Sequence, residues 1–356
     1  LQQLIIERIQ REGPLTFAEY MRLALYEPGS GYYTCGQARI GWDGDYITSA
    51  DLSALFAHCL GRQLALCWEM LKRPVPFVVL EQGAGRGTLS ESVRNWAERE
   101  ESAFARALVY ATTDIRDGQD SLHPAGQPRA HVLFSNELLD AFPVHIVEVC
   151  QGQLSEVYVI CQQGRLAEGL APPSSPQVAS YLDEACIPWR TFPTGWRAEI
   201  NLQAQRWLAQ AVGLLHRHGF LLTIDYGDRA RQLYIRERRR GTLLCYAHHQ
   251  TSEDPLRLPG EQDITAHIDF SALIARGRAL GLRLHRYTTQ RTWLQGCGLA
   301  DELARIRTRD FASADACRAS DQGQVALLGW YNLRQRAGLL TDPQGMGNFK
   351  VLILRR

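Results

Sequence analysis

The chain has 356 residues, 45% hydrophobic and 22% charged, with a formal net charge of +1. This is the balance of a globular protein with a full core and room for an extra lobe, and it offers no global electrostatic case for nucleic acid or an acidic membrane. Nine cysteines without a C-x-x-C pair argue against a disulfide framework or a zinc site, and no apolar run approaches a membrane span.

The first segment reads as helical, with Thr16 and Glu19 forming a capping box before Tyr20, Met21, Ala24 and Leu25. A glycine- and tyrosine-rich loop from Gly29 to Gly44 follows, then an amphipathic helix carrying Leu52, Leu55, Phe56, Cys59, Leu60, Leu64, Cys67 and Leu71. Pro74 and Pro76 end it. The apolar run Phe77-Val78-Val79-Leu80 then reads as a buried parallel strand. It leads through Glu81-Gln82-Gly83-Ala84-Gly85-Arg86-Gly87 into a helix, where Thr88 and Glu91 suggest a second capping box.

Ala107 to Thr112 and His131 to Asn136 read as two further strands. Val144 to Cys161 has a hairpin pattern with Gly152 near its turn, and Ala171 to Pro176 is a linker. A long helix is expected from Glu199 to His218, ended by Gly219, with a buried strand from Phe220 to Asp225. The run Arg236-Glu237-Arg238-Arg239-Arg240 and the pair His248-His249 read as loop or solvated residues. Asp269 caps a helix that stops at Gly281, and Leu282 to Tyr287 and Phe349 to Leu354 are the last strands. Strands alternating with helices imply an α/β domain with a mainly parallel sheet. The expected division is a helical cap over 1–73, a core over 74–142 and 199–356, and an inserted lobe over 143–198.

Strand, glycine turn and helix start together build a nucleotide-type pocket at the carboxyl edge of a sheet. Thr88 stands where a dinucleotide fingerprint needs its last glycine, and the Lys-Ser/Thr pair of a phosphate loop is absent. The E-x-G-x-G-x-G form of residues 81–87 instead resembles the first motif of class I S-adenosylmethionine-dependent methyltransferases, whose ligand carries an amino acid end: the turn amides would suit its carboxylate, and Glu81 its ammonium. The same glycines would also serve a plain strand-to-helix turn.

Further motifs follow in order: Gly31-Tyr32-Tyr33, Gly44-Asp45-Tyr46-Ile47-Thr48-Ser49, Ser135-Asn136-Glu137-Leu138-Leu139-Asp140-Ala141-Phe142-Pro143, Ile224-Asp225-Tyr226-Gly227, and Pro259 to Phe270. With the glycine loop, this series resembles the MidA family, also called the DUF185 or NDUFAF7 family, of S-adenosylmethionine-dependent methyltransferases. The resemblance runs from about residue 13 to residue 354. It implies a class I methyltransferase: a Rossmann-like sheet with helices on both faces, an N-terminal helical cap and an inserted substrate lobe. It also implies S-adenosylmethionine as cofactor and a protein substrate, as in the mitochondrial member, an arginine methyltransferase that supports assembly of respiratory complex I. The compartment expected is the cytoplasm, or the mitochondrial matrix if a targeting segment has been trimmed.

The cofactor-binding candidates are Glu81, Gly83, Gly85, Gly87, Thr48, Ser49 and Asn136. The catalytic candidates are Glu137, Asp140, Asp225 and His267. Carboxylates can hold a guanidinium bidentately and favour charge localisation away from the attacking nitrogen. If a helical turn begins at Glu137, its carboxylate and that of Asp140 share a face; helix N-terminal acids satisfying amides would give the same pattern. His267 reads as a base, a substrate-orienting donor or a structural histidine. Thr48 and Ser49 read as part of a cover over the cofactor or as turn and cap residues.

Departures from the family pattern stand out. The acid that holds the ribose hydroxyls is expected near Tyr110, and none stands there; Asp114 serves only if the strand runs longer. The third-strand region after Arg116 and Gln119 is short, and Ala50-Asp51 replaces the usual proline and glutamate. These motivate a rival reading, a catalytically silent assembly factor that binds its client without turnover.

Overall fold

A computed structural model describes residues 1–35, 48–115, 129–247, 250–312 and 320–356, Asp51 by its backbone only. The Gly44–Ile47 motif, Arg116, Gln119, His248 and His249 lie outside the described residues, as does most of the short third-strand region.

The central sheet has six strands: β2 (Phe77–Gln82), β3 (Leu108–Thr113), β4 (Ala130–Asn136), β9 (Leu215–Asp225), β15 (Arg283–Thr289) and β16 (Lys350–Arg355). Their spatial order is β15-β16-β9-β4-β2-β3. β3, β2, β4 and β9 are mutually parallel, and β16 inserts antiparallel between β9 and β15. Alternation along each strand loads both faces with apolar side chains. Val79, Phe134, Leu222 and Ile353 pack against α4 (Ala54–Met70), α5 (Thr88–Glu100), α11 (Gln290–Gly296) and α13 (Asp321–Thr341), through Leu60, Trp96, Trp293 and Leu340. Leu80, Leu133, Leu221 and Leu352 pack against α8 (Leu202–Leu214) and α10 (Phe270–Ala279), through Trp207 and Phe270. This is the fold of the class I methyltransferases.

A second, five-stranded sheet joins β5 (His145–Cys150), β6 (Gln153–Gln162), β7 (Arg165–Ala171) and β8 (Arg197–Ile200) to β1 (Leu15–Thr16). β8 thus straddles position 198, and the N-terminal segment contributes a strand to the lobe. α2 (Phe17–Tyr26) starts with the expected capping box: Thr16 accepts from Glu19 N, and Glu19 accepts from Thr16 N. A small sheet of β11 (Leu244–Ala247), β12 (Gln250–Ser252) and β13 (Asp263–Thr265) packs with α2 and β6 in one apolar cluster through Cys245 and Ile264.

The chain departs from the sequence pattern in several places. The helix expected to run to His218 ends at Leu214, because the alternation of Leu215 and Phe220 pairs with Ala130 and Val132 and draws the segment into β9. Thr88 does not cap α5; the N-cap is Gly87, left-handed at φ 74° and with no side-chain cap. No helical turn follows Asn136: residues 137–142 form an irregular turn, and Glu137 itself adopts φ 49°. Among the described residues no helix is long and apolar enough to cross a membrane, and no group of three or more His, Cys, Asp or Glu could hold a metal. The eight described cysteines are free.

Candidate active site

Strand register places the site. Gln82 pairs with Thr113 and Ser135, and Asn136 with Ile224, so Gly83, Asp114, Asn136 and Asp225 line one carboxyl edge of the sheet. Such an edge is where open α/β sheets bind ligands.

The glycine turn hugs its neighbours. Gly83 N and Ala84 N both donate to Thr113 O, at 2.9 and 3.2 Å, and Gly87 N donates to Ala84 O at 2.8 Å. Gly85 N donates to the Asp114 carboxylate. These amides, expected to serve a ligand carboxylate, are therefore used within the protein; the uncapped first turn of α5 is the remaining main-chain donor group at this place. Gly85 has φ 53°, and a Cβ built there meets nothing within 4 Å, so the backbone presents an open approach.

β3 runs one residue beyond the expected Thr112, and Asp114 follows it directly. The acid expected at the strand end is thus present. Tyr110 instead faces inward, 4% exposed among core side chains beside Glu81. Tyr110 is therefore a core residue within β3, and the acid at the strand end is Asp114.

Glu81 is 3% exposed, and its Oε2 makes no hydrogen bond. Burial first, and Asp114 next among the raising influences, push the Glu81 carboxyl up to about 7; the Tyr110 hydroxyl lies beside it and acts in the lowering direction. Asn136 donates to Glu137 Oε1 at 3.0 Å, leaving its own buried Oδ1 without a partner. Ser49 is fully buried: its N–H donates to Glu137 Oε1 at 2.8 Å, and its hydroxyl to Gln290 Oε1 at 3.3 Å. Thr48 precedes it, with its carbonyl accepting from Leu52 N at 3.1 Å. Unpartnered buried oxygens, a glycine backbone with open space above it and an uncapped helix start fit a ligand with an ammonium, a carboxylate and hydroxyls.

Next to this edge lies a group of acids. Burial pushes Glu137 up to about 7, with Asp140 adding to the rise. Asp140, 6% exposed, is pushed up to about 6 by burial. Its Oδ2 accepts from the Tyr226 hydroxyl, while Oδ1 has no hydrogen-bond partner. Around them stand tyrosines and a further acid. Tyr26 donates to Ala141 O at 2.9 Å and stacks on Tyr33 with ring centroids 5.5 Å apart. Tyr33 donates to Asp263 Oδ1 at 2.8 Å. Asp140, Asp263 and Glu137 all raise the Tyr246 hydroxyl, after burial.

Two expected catalytic residues take other places. Asp225 is 0% exposed, and both its oxygens accept main-chain N–H groups, of Leu139 and Tyr226, at 2.9 Å each. It clamps the turn that carries Glu137 and Asp140. His267 packs edge-on against Tyr226 at 5.4 Å, and its main-chain N–H donates to Thr242 Oγ1 at 3.1 Å. Burial first, then Arg238 and Lys350, push its imidazole down to about 4, so it is neutral at pH 7. Sequence reasoning admitted Asp114 only if the strand ran longer, and assigned no site role to Tyr226, Tyr26, Tyr246 or Asp263. Tyr33, Tyr226 and Asp263 stood inside quoted motifs, but only topology brings them to Asp140.

A separate cavity of about 820 Å³ lies between the lobe and the 240–255 segment, lined by Glu148, Glu168, Arg197, Glu199, Arg240 and Glu253 among others. Its charges are paired internally: Arg197 with Glu148 and Glu168, and Arg240 with Glu253.

Residues 59–288 match the model of a family described as putative S-adenosyl-L-methionine-dependent methyltransferases. The chain is 27% identical to the mitochondrial protein arginine methyltransferase NDUFAF7 homolog of Drosophila melanogaster, over 98% of this chain and 83% of that protein. It is 27% identical to the mitochondrial protein arginine methyltransferase NDUFAF7 of Mus musculus, over 96% of this chain and 81% of the relative. A crystal structure of a likely methyl transferase from Burkholderia thailandensis bound to S-adenosyl-homocysteine superposes with a TM-score of 0.84 at 27% identity, covering 100% of this chain and 91% of that one. The sheet order, the glycine turn and the matched family model agree: the chain belongs to this family and is an S-adenosylmethionine-dependent class I methyltransferase.

Proposed function

We propose that the enzyme methylates an arginine side chain of a protein client, of the kind found in respiratory complex I. One observation carries the reading. Glu137, Asp140 and Asp225 sit together and buried; the leading influences on their ionisation are burial, one another and hydrogen bonds, and among the described residues no lysine or arginine forms an ion pair with any of them. Buried carboxylates without a counter-cation are costly and are relieved by a cationic guest. A guanidinium is such a guest, and its planar fork suits two carboxylates. The names of the Drosophila and mouse relatives support arginine, and their mitochondrial designation favours the matrix over the cytoplasm for this chain.

In this reading Glu81, Gly83, Gly85, Gly87, Thr48, Ser49 and Asn136 form the cofactor side, with Asp114 added for the ribose hydroxyls. Bound S-adenosylmethionine supplies an electrophilic methyl group. Glu137 and Asp140 hold and orient the guanidinium, Asp225 fixes their turn, and His267 supports Tyr226 as a neutral ring. Residues 143–198 serve as the substrate lobe. Asp114 at the strand end removes one motive for the silent assembly factor; the other, the short third-strand region, lies mostly outside the described residues.

The test is radiolabelled methyl transfer to co-purifying proteins, with arginine and lysine products separated after hydrolysis. Methyl-arginine is expected. Methyl-lysine alone would exclude the arginine reading, and client binding without transfer would favour the silent factor.

A further inference from the structure

A guanidinium or ammonium that gains a methyl cation equivalent must shed one proton: an N–C bond forms, the methyl–sulfur electron pair stays on sulfur, and the N–H pair returns to nitrogen. The proton needs an acceptor inside a buried pocket. Among the acids here, Asp225 has both oxygens engaged by main-chain amides, and Glu137 Oε1 accepts from Ser49 and Asn136. Asp140 is tied by a side chain instead. One oxygen is held by the Tyr226 phenol, and the other, Oδ1, is buried with no hydrogen-bond partner, while the amides of Asp140 and Ala141 favour the ionised carboxyl.

We infer that Tyr226 is a positioning residue for Asp140: it ties down Oδ2 so that Oδ1 is held ready to receive the proton released by the substrate nitrogen. The tyrosine is itself fixed. Its ring lies between His267, edge-on at 5.4 Å, and Phe349, tilted at 5.3 Å. Its backbone is fixed too, because Tyr226 N donates to Asp225 Oδ1 and Tyr226 O accepts from Ile268 N at 3.0 Å. Asp140 is anchored by its carbonyl, which accepts from Ala266 N at 2.9 Å. Two chain segments far apart in sequence thus set one carboxyl in one orientation.

The phenol also tunes Asp140. A hydrogen bond to the ionised form opposes the rise that burial imposes. The titratable groups facing Asp140 are Glu137 and Asp225 from its own edge, Tyr26 from α2, Tyr246 from β11 and Tyr226 itself. Because these acids interact, the observable is the apparent titration of the cluster. The inference rests on this pocket being the nucleophile's site, as proposed above.

Two readouts test it. In the cofactor-free protein, carbon-13 NMR of labelled aspartate carboxyls follows the resonance that disappears in Asp140→Asn. Tyr226→Phe should move its titration up by about one pH unit, the equivalent of losing one hydrogen bond to a charged group. The acid limb of kcat/KM for the client should move up by the same amount, with KM for S-adenosylmethionine unchanged. Should the phenylalanine variant fail to fold, 3-fluorotyrosine at position 226, a stronger donor of nearly the same shape, should move both down. A uniform rate loss with both titrations unmoved would reduce Tyr226 to packing and overturn the inference. Shifted titrations with methyl-lysine as the product would support Tyr226 while overturning the arginine reading.

Discussion

Gly85 gives its main-chain N–H to the carboxylate of Asp114, so the glycine turn after β2 and the acid after β3 form one hydrogen-bonded unit. In the cofactor site proposed above, the contact lets one residue shape both ends. Asp114→Asn would then remove the proposed charged acceptor for the ribose hydroxyls and weaken the tie to the turn. A hydrogen bond to a charged group is worth roughly 1.5–3 kcal/mol, about one to two decades in affinity. Calorimetric titration with S-adenosylhomocysteine should show that drop. Tyr110→Glu, by contrast, should not tighten binding: it buries a carboxylate among core side chains and beside Glu81, and the melting temperature should fall.

Gly85→Val should abolish S-adenosylhomocysteine binding in a protein that keeps its circular dichroism. The open space above Gly85 would be filled, and a β-branched residue is strained at φ 53°. Unchanged affinity would move the ligand elsewhere.

Glu137 works against the stability of the fold. Its carboxyl is raised from 4.5 to about 7, so the native protein binds more protons than the unfolded chain between those values. The stability this provides is full below pH 4.5 and lost as pH rises through 7. Glu137→Gln keeps an oxygen for the Ser49 N–H and removes the titration. Relative to wild type, denaturant melts should find the variant equal near pH 4 and more stable at pH 8, by on the order of 2 kcal/mol. Methyl transfer should be nearly lost, with cofactor affinity within a few fold. Equal stability at both values would mean that Glu137 is relieved by a group in the folded protein.

The opposite sign is expected at Glu302. It is buried between His58, at 2.8 Å, and Arg62, and these hydrogen bonds hold its carboxyl down at about 2. That stability is present above the ordinary value of 4.5 and lost as pH falls toward 2. Glu302→Ala should cost ~3 kcal/mol at pH 7, since buried His58 and half-buried Arg62 lose their partner, and the cost should shrink on acidification. A pH-independent cost would mark Glu302 as packing.

Local signals made the scaffold readable. Phe77 to Leu80 is apolar at every position because both faces of β2 are covered, and Asp269 caps α10 within its own sequence neighbourhood. Reading failed where a distant partner decided. The segment from Leu215 has helix formers before it and turned to strand only because β4 offers it an edge. Asp114 looked one step too far from Thr112 because strand ends are set by the neighbouring strand, here Gln82 opposite Thr113. Glu137 and Asp140 were legible as a pair of acids, but the turn that joins them depends on Asp225, and the surrounding tyrosines come from α2, β11 and the end of β9.

The pairing of Leu15 with Val159 and Thr16 with Tyr158 has a consequence for synthesis. A ribosome makes β1 long before it makes the strand that β1 hydrogen-bonds. At roughly 5–20 residues per second the wait is roughly 7 to 30 s. Throughout it Phe17, Tyr20 and Leu25, all buried in the finished protein, have no lobe to cover them. The nascent chain therefore emerges with an apolar helix in need of shelter, and its early residues become protected only when β6 arrives. Arrested chains stopped before and after β6 leaves the exit tunnel should differ sharply in protease cleavage within α2.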